Sequence, residues 1–275
     1  MQALLKDRIQ QAHLLRNNTA LESTVDISQS RRDLMPDESG DLSDRSSGDA
    51  QSALESAASH LRASPPPART SAARDREILG RRQERDLTAW AREQGRLIHP
   101  DTYLPLIVAG GEEHRVWLDE GRQRYLKTTF PGRFGFTVIV NPVEVADLAD
   151  ATPLEYLDRL LLQNSVFGDL IGLEGIAQET GKLAIVTSQP NITGVDVLRE
   201  DISDFMSGLW FKPLHGLHLG RPGALAFYRD LDEVAAFDAH PGNFVKDTEG
   251  RVLPIDLILV RASDDLQRVL APFLD

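Results

Sequence analysis

The sequence predicts an α+β fold of two lobes: an antiparallel five-stranded N-terminal lobe with one helix, and a reduced, mainly helical C-terminal lobe. Short apolar runs separated by glycine-containing turns predict the strands. A well-capped helix start interrupts these runs after the third strand. Helical patterning around residues 197–210 then predicts the second lobe, and a disordered tail is expected before the first.

The composition fits one well-buried domain with additional sequence around it. The chain has 275 residues, and 41% of them are hydrophobic, which is enough for one core of ordinary size. Its 30 Lys and Arg residues against 42 Asp and Glu residues give a formal net charge of -12. Because nucleic-acid backbones and anionic membranes repel an acidic surface, neither is an expected partner.

The chain contains no cysteine, which excludes disulfides, thiolate metal sites and a cysteine nucleophile. Its first residues include Lys6, Asp7 and Arg8 and lack the continuous apolar run of a signal peptide. No stretch approaches the roughly 18 apolar residues of a membrane span. These features predict a cytoplasmic protein.

Composition divides the chain into three parts. Residues 1–74 are rich in Ser, Asp, Gly and Pro with few large apolar residues, so a disordered tail and linker is expected. Residues 75–96 predict a charged N-terminal helical extension that ends at Gly95. Residues 97–275 are expected to form the folded domain.

The first half of this domain has the pattern of strands around one helix. Strands are predicted at residues 103–109, 115–118 and 124–129 before the helix, and at 173–176 and 183–187 after it. The helix start reads Thr152-Pro153-Leu154-Glu155. Thr caps the helix, Pro is favoured at its first position, and Glu completes a capping box.

The second half mixes helical and strand patterns. Helices are predicted around residues 197–210 and 224–234, and strands at 243–246 and 252–259. A polar turn containing Gly250 separates the two strands.

The most informative residues lie in a loop that reads Asp238-Ala239-His240-Pro241-Gly242-Asn243, with Asp256 on a later apolar segment. Phosphoryl transfer needs a carboxylate beside the acceptor hydroxyl and oxygen ligands that hold hard cations against the phosphate oxygens. Asp238, Asn243 and Asp256 can supply these groups. Because Asp, Pro, Gly and Asn are common turn formers, the loop alone is equally consistent with a plain turn.

With these residues the sequence resembles the protein-kinase-like superfamily, and within it the kinase domain of polyvalent proteins of phages and conjugative elements. The loop is also similar to that of aminoglycoside-type phosphotransferases, which often read D-x-H-P-x-N. The resemblance covers residues 97–261. It implies an ATP- and Mg²⁺-dependent kinase in which Asp238 is the catalytic base and Asn243 and Asp256 are metal ligands. It is also consistent with a place in a larger multidomain or mobile-element system.

Lys127 lies on the third predicted strand, where a kinase places the lysine that contacts the nucleotide phosphates. The alternative is a solvent-facing lysine on an edge strand. Glu155, on the following helix, is the expected partner of Lys127. Its capping role needs no catalytic function, however, and Glu144 is another candidate partner.

Four further residues are candidates for nucleotide binding. Gly110 and Gly111 lie between the first two predicted strands, where their backbone could approach the triphosphate. A plain hairpin turn is the alternative, because a full G-x-G-x-x-G is missing. Thr187 and Gln189 are expected at the hinge that pairs with adenine through backbone groups.

The phosphate acceptor stays open between a protein Ser, Thr or Tyr and a small molecule. After Asp256 the sequence has neither Phe-Gly nor Ala-Pro-Glu, so it lacks the signatures of the segments that dock protein substrates. Two other hypotheses are a pseudokinase-like module that binds nucleotide or a partner without transfer, and a fragment that needs a partner domain. His215 and His218 resemble a metal pair but lack a third ligand nearby, so structural roles are expected.

Overall fold

The computed structural model describes residues 46–63, 72–111 and 113–274. Its helices are α1 (Ser47–Arg62), α2 (Ala72–Glu93), α3 (Pro153–Phe167), α4 (Arg199–Gly208) and α5 (Asp264–Leu270). The strands of the first half are β1 (Leu97–Ile98), β2 (Ala109–Gly110), β3 (His114–Asp119), β4 (Arg124–Thr129), β5 (Phe136–Val140), β6 (Ala146–Asp150), β7 (Gly172–Glu179) and β8 (Lys182–Pro190). Those of the second half are β9 (Gly194–Val195), β10 (Lys212–Pro213), β11 (Leu225–Arg229), β12 (Val234–Ala239), β13 (Phe244–Asp247), β14 (Val252–Pro254) and β15 (Ile258–Arg261). The described part of the chain is therefore α+β, as the sequence predicts.

Helix α1 lies within the region that was expected to be a disordered tail. The prediction for residues 1–45 and 64–71 falls outside the described residues, whereas residues 47–62 are helical and pack in the core instead of being disordered. Ser46 caps the helix by accepting a hydrogen bond from the Asp49 amide at 3.2 Å. The buried face is mostly alanine, and a Cβ added to Gly172 would lie 2.5 Å from the Ala50 Cβ. Small side chains thus let α1 pack closely on β7, which compensates for the few large apolar residues.

The predicted N-terminal extension is helical and belongs to the same core. Helix α2 ends before Gly95, which has a φ of +61° that favours glycine. Leu87 and Trp90 are buried, and the Trp90 indole donates to the Ser56 hydroxyl of α1 at 3.2 Å. None of the helices in the described residues is long and apolar enough to span a bilayer.

The largest sheet among the described residues has six strands in the order β1-β7-β8-β4-β3-β2. Its pairs are antiparallel except for β1 with β7, which are parallel. Helix α3 follows with the predicted start: the Thr152 amide donates to the Glu155 carboxylate at 2.8 Å, and Gly168 ends the helix with a φ of +72°. Three helices pack against the buried side chains of this sheet, in a core that includes Leu54, Leu157 and Ile185.

Residues 103–109 do not form the predicted strand. Tyr103 lies between two short 3₁₀ turns that each contain a proline, at Pro100 and Pro105, and only Ala109–Gly110 joins the sheet. Proline has no amide hydrogen to donate to a strand partner, which explains the shortened strand. Tyr103 is fully buried and stacks on Trp117 with 5.4 Å between the ring centres.

The hairpin of β5 and β6 was not predicted. It lies in the chain between β4 and α3, and its register runs from Phe136 paired with Asp150 to Val140 paired with Ala146. Val138 and Ala146 pack in one core with Phe237 and Ile258. The hairpin therefore joins the two halves of the chain through apolar contacts.

The second half is richer in strands than the mainly helical lobe that was predicted. Its sheets have the orders β10-β11-β12-β15 and β14-β13-β9. Helix α4 agrees with the prediction for residues 197–210, but residues 224–234 form β11 and the turn into β12. Tyr228 pairs with Ala235 across this turn, and Glu233 has a φ of +58°. Long-range pairing with β15 and β10 outweighs the local helical pattern here.

Replacing Leu54 by Ala tests whether α1 is packed in the core. Because Leu54 is fully buried, we expect Leu54→Ala to lower the free energy of unfolding by about 2–5 kcal/mol in urea titrations. Leu231→Ala is the matched control, since Leu231 is 72% exposed, and its effect should stay within about 0.5 kcal/mol. Equal effects of the two substitutions would show that α1 is not part of the core.

Candidate active site

Lys127 lies in the middle of β4 and reaches from the first half of the chain to the second. In the sheet it is paired with Val116 of β3 and Thr187 of β8. Its neighbours Leu126 and Thr128 are buried on the opposite face of the strand, because side chains alternate along a strand. The Lys127 Nζ donates to the carbonyl oxygen of Ile255 at 3.2 Å. Its amine therefore lies beside the segment that carries Asp256.

Asp238 is held in an unusual backbone conformation at the end of β12. Its φ is +58°, in the left-handed region that residues other than glycine rarely adopt. Its Oδ1 accepts a hydrogen bond from the Arg221 amide at 2.7 Å. A Cβ on Gly220 would lie 2.4 Å from that oxygen, so glycine is needed there. Backbone strain of this kind is found most often at functional sites.

Asn243 lies close to Asp238 at the end of a 3₁₀ turn. The Asn243 Nδ2 donates to the Asp238 carbonyl oxygen at 2.9 Å and to its Oδ2 at 3.1 Å. The Ile255 amide donates to the Asn243 carbonyl oxygen at 2.9 Å. These bonds hold the loop that carries Asp238 against the residue that precedes Asp256.

Asp256 follows β14, and its half-buried side chain pairs with the cation Arg159. Its Oδ1 accepts a hydrogen bond from Arg159 of α3, and its Oδ2 lies 3.9 Å from the His114 Nδ1. Burial alone would raise the pKa of Asp256, but Lys127 and Arg159 hold that pKa below its usual value. Asp256 is therefore an ionised carboxylate at neutral pH.

Arg159 and Glu113 belong to this cluster, although the sequence analysis singled out neither. Arg159 is 3% exposed, and its Nη1 donates to the Glu113 carboxylate at 2.7 Å. Burial would lower the pKa of Arg159, but Glu113 and Asp256 raise it above its usual value. Its Nε has no hydrogen-bond partner among the described residues. The two carboxylates thus share one buried guanidinium.

His114 is the third residue that the sequence analysis missed. It is buried at the start of β3, and its Nε2 lies 2.9 Å from the hydroxyl of Tyr156. Burial lowers the pKa of His114 to about 3, and Lys127 and Arg159 add to this effect. The imidazole is therefore neutral at physiological pH. The only signal in the sequence was the pair Glu113-His114, which follows the two glycines after one further residue.

Glu155 does not make the predicted contact with Lys127. Its carboxylate accepts two hydrogen bonds from Arg76 of α2, at 2.7 and 2.9 Å, and a third from the Thr152 amide. Glu155 therefore caps α3 and ties it to α2. Arg159, one helical turn further on, is the α3 residue that faces the Asp256 cluster. Glu144 is also elsewhere, with a φ of +58° in the β5–β6 turn.

The four residues predicted to bind nucleotide have different positions. Gly110 lies on β2, and the Gly111 amide donates to the His114 carbonyl oxygen at 2.8 Å, which closes the turn before β3. This turn carries Glu113 to the cluster. Thr187 is buried on β8, with its hydroxyl 3.4 Å from the Lys127 carbonyl oxygen. Gln189 lies near the end of β8, opposite Tyr125 of β4.

The histidines expected to be structural have no part in this cluster. The His218 Nδ1 lies 2.8 Å from the carbonyl oxygen of Ala224. The His215 amide donates to the carbonyl oxygen of Phe273. A separate groove of about 1020 Å³ is lined by α1, α3, β5 and β15. Neither Lys127 nor Asp256 lines that groove. The groove and the charged cluster are therefore two separate candidate sites. We favour the cluster, because it concentrates charged side chains around the buried guanidinium of Arg159.

Comparison of the chain with protein-family models, with curated proteins and with solved structures gives no match in any of the three. Function must therefore be argued from the residues themselves.

The arrangement combines groups that bind cations with groups that bind anions. Asp238, Asp256 and Glu113 are carboxylates within one electrostatically interacting set, and Lys127 and Arg159 are the cations among them. Asn243 adds an amide oxygen that accepts no hydrogen bond from the described residues. Such a set can hold a hard metal ion together with a phosphorylated ligand.

The buried neutral His114 predicts a specific pH dependence of stability. In the unfolded chain the imidazole takes up a proton as the pH falls below about 6.5, whereas in the folded protein it stays neutral down to a pKa of about 3. Its stabilising contribution is therefore complete above pH 6.5 and is lost progressively between these two values. We expect a slope of up to about 1.4 kcal/mol per pH unit in the free energy of unfolding.

Urea unfolding of the wild type and of His114→Gln, between about pH 8 and pH 5, checks this slope. His114→Gln should flatten it, while His215→Gln, at an exposed position, should leave it as in the wild type. Asp256 does not contribute to the slope in this pH range. Because its pKa is lowered in the folded protein, its contribution to the free energy of unfolding is lost only below about pH 3.8. The same slope in His114→Gln and the wild type would contradict the prediction.

Proposed function

We propose that this protein is an ATP- and Mg²⁺-dependent phosphotransferase of the protein-kinase-like kind, which transfers the γ-phosphate of ATP to a hydroxyl acceptor. One observation carries the proposal: Lys127 from the first sheet, and the loop of Asp238 and Asn243 from the second half, both contact Ile255, the residue before Asp256. These four residues are of the types that phosphoryl transfer needs, on elements in the order that kinases use.

The residues around Asp256 suit a magnesium ion. Asp256 is an ionised carboxylate, and Asn243 donates through Nδ2 to Asp238, so its Oδ1 is available as a ligand. We propose that Asn243 and Asp256 hold the ion, which would neutralise charge on the phosphate oxygens. The Lys127 amine, next to the Ile255 carbonyl, is close enough to contact the same phosphates.

Asp238 is the proposed catalytic base. Its carboxylate is oriented by the Arg221 amide and by Asn243, so its direction is fixed before an acceptor binds. The His240 Nε2 lies 3.7 Å from the Asp238 Oδ2, and the His240 Nδ1 accepts a hydrogen bond from the Gly242 amide. His240 thus braces the loop, and Asp238 accepts the proton of the acceptor hydroxyl.

A second candidate function is a nucleotide- or partner-binding module without transfer. The observation that favours it is the missing contact between Glu155 and Lys127, since kinases use such an ion pair to hold the lysine in its active position. Here Glu155 pairs with Arg76, and Arg159 contacts Asp256 instead. We propose a hydroxyl group as the phosphate acceptor, on either a protein side chain or a small molecule. A place in a larger mobile-element assembly is also part of the proposal.

Asp238→Asn separates the two candidates. The substitution keeps the shape of the side chain but removes its ability to accept a proton, so we expect transfer of labelled phosphate from ATP to fall about 100-fold or more. The measurement is a screen of small hydroxyl compounds and generic protein substrates with Mg²⁺. Asp230→Asn is the control, because Asp230 is an exposed residue paired with Lys212, and it should keep wild-type activity.

Two results would count against transfer by this site. Equal phosphate incorporation by the wild type and Asp238→Asn would remove the proposed base. Stabilisation of the protein by ATP, without any transfer above the Asp238→Asn background, would favour the binding module.

A further inference from the structure

Asp256 also belongs to a second group of possible metal ligands. Glu113, His114 and Asp256 each present one ligand atom, and these three atoms lie within 4.8 Å of one another. Glu113 and His114 come from the turn and first residue of β3, and Asp256 comes from the loop after β14. Residues from both halves of the chain therefore meet at this point.

His114 has the orientation of a metal ligand. Its side chain is 7% exposed, and its Nε2 is fixed by the Tyr156 hydroxyl at 2.9 Å. Its Nδ1 points to Asp256 at 3.9 Å, which is beyond hydrogen-bond distance, and has no hydrogen-bond partner among the described residues. Histidine ligands are commonly held in this way, with one ring nitrogen anchored to the protein and the other directed at the metal.

Arg159 supplies the positive charge between the same carboxylates. It donates to Glu113 and to Asp256, while its Nε is buried without a partner. A divalent cation would compete with Arg159 for these oxygens and would bring twice its charge. The incomplete hydrogen bonding of the guanidinium lowers the cost of moving it.

We propose that Glu113, His114 and Asp256 bind a divalent transition-metal ion, such as Mn²⁺ or Zn²⁺, in competition with Arg159. A neutral imidazole with two carboxylates suits these ions better than Mg²⁺, which prefers oxygen ligands and retains water. The inference shares Asp256 with the proposed phosphotransferase, but it concerns metal binding in the absence of nucleotide.

The experiment titrates Co²⁺ into the full chain without nucleotide and follows its visible absorption, which reports metal coordination. We expect saturable binding of the metal to the wild type that excess Mg²⁺ does not displace. Glu113→Gln and His114→Gln should each weaken this binding at least tenfold. Arg159→Gln should strengthen it at least tenfold, because the competing charge is gone.

His215→Gln and Glu144→Gln are the matched controls and should bind Co²⁺ like the wild type. Circular dichroism checks that each variant is folded. Should His114→Gln fail to fold, Glu113→Gln and Arg159→Gln still decide the question, since they are expected to change the affinity in opposite directions. No saturable Co²⁺ binding, or binding that is insensitive to Glu113 and Arg159, would overturn the inference.

Phosphate transfer is measured separately with Mg²⁺ and ATP, so the two proposals can fail independently. Transfer without Co²⁺ binding would overturn the metal site alone. Co²⁺ binding with the expected response of the variants, but without transfer, would support the metal site and count against the phosphotransferase.

Discussion

The half-buried carboxylate of Asp256 is the constraint on which the rest of this site depends. A charge held partly out of water is stable only when it is paired and hydrogen-bonded, and here the neighbouring polar groups come from three separate elements. Arg159 of α3 donates to it, Lys127 of β4 donates to the carbonyl oxygen of the preceding Ile255, and the neutral His114 of β3 faces it at 3.9 Å. The first sheet, α3 and the loop after β14 must therefore pack together for the charge to be tolerated.

The apolar packing explains why Arg159 is held in this position. Leu157 and Leu160, on the same helix, belong to the core that α1 and α2 share with the first sheet. Glu155 ties the start of α3 to Arg76 of α2. The charged extension and the alanine-rich helix before it thus support the orientation of α3. Residues far from the cluster in sequence consequently control its geometry.

The parts of the fold set by short-range chemistry could be predicted from the sequence. The capping box of Thr152 and Glu155 gave the start of α3, and the apolar runs gave β3, β4, β7 and β8. The spacing of Asp238 and Asn243 identified a pair that is hydrogen-bonded in the structure. The helical prediction for residues 224–234 and the partner of Lys127 were wrong, because long-range pairing decides both. Arg159 was missed for the same reason, since both of its carboxylate partners are distant in the chain.

Calorimetric titration of ATP with Mg²⁺ is the most direct test of the central claim, that the cluster around Asp256 binds a phosphorylated ligand. The comparison is between the wild type, Lys127→Met and Lys182→Met, which removes an exposed lysine at the end of the same sheet. The account predicts that Lys127→Met weakens binding at least about tenfold, or about 1.4 kcal/mol, while Lys182→Met binds like the wild type. Equal affinity of Lys127→Met and the wild type would contradict it.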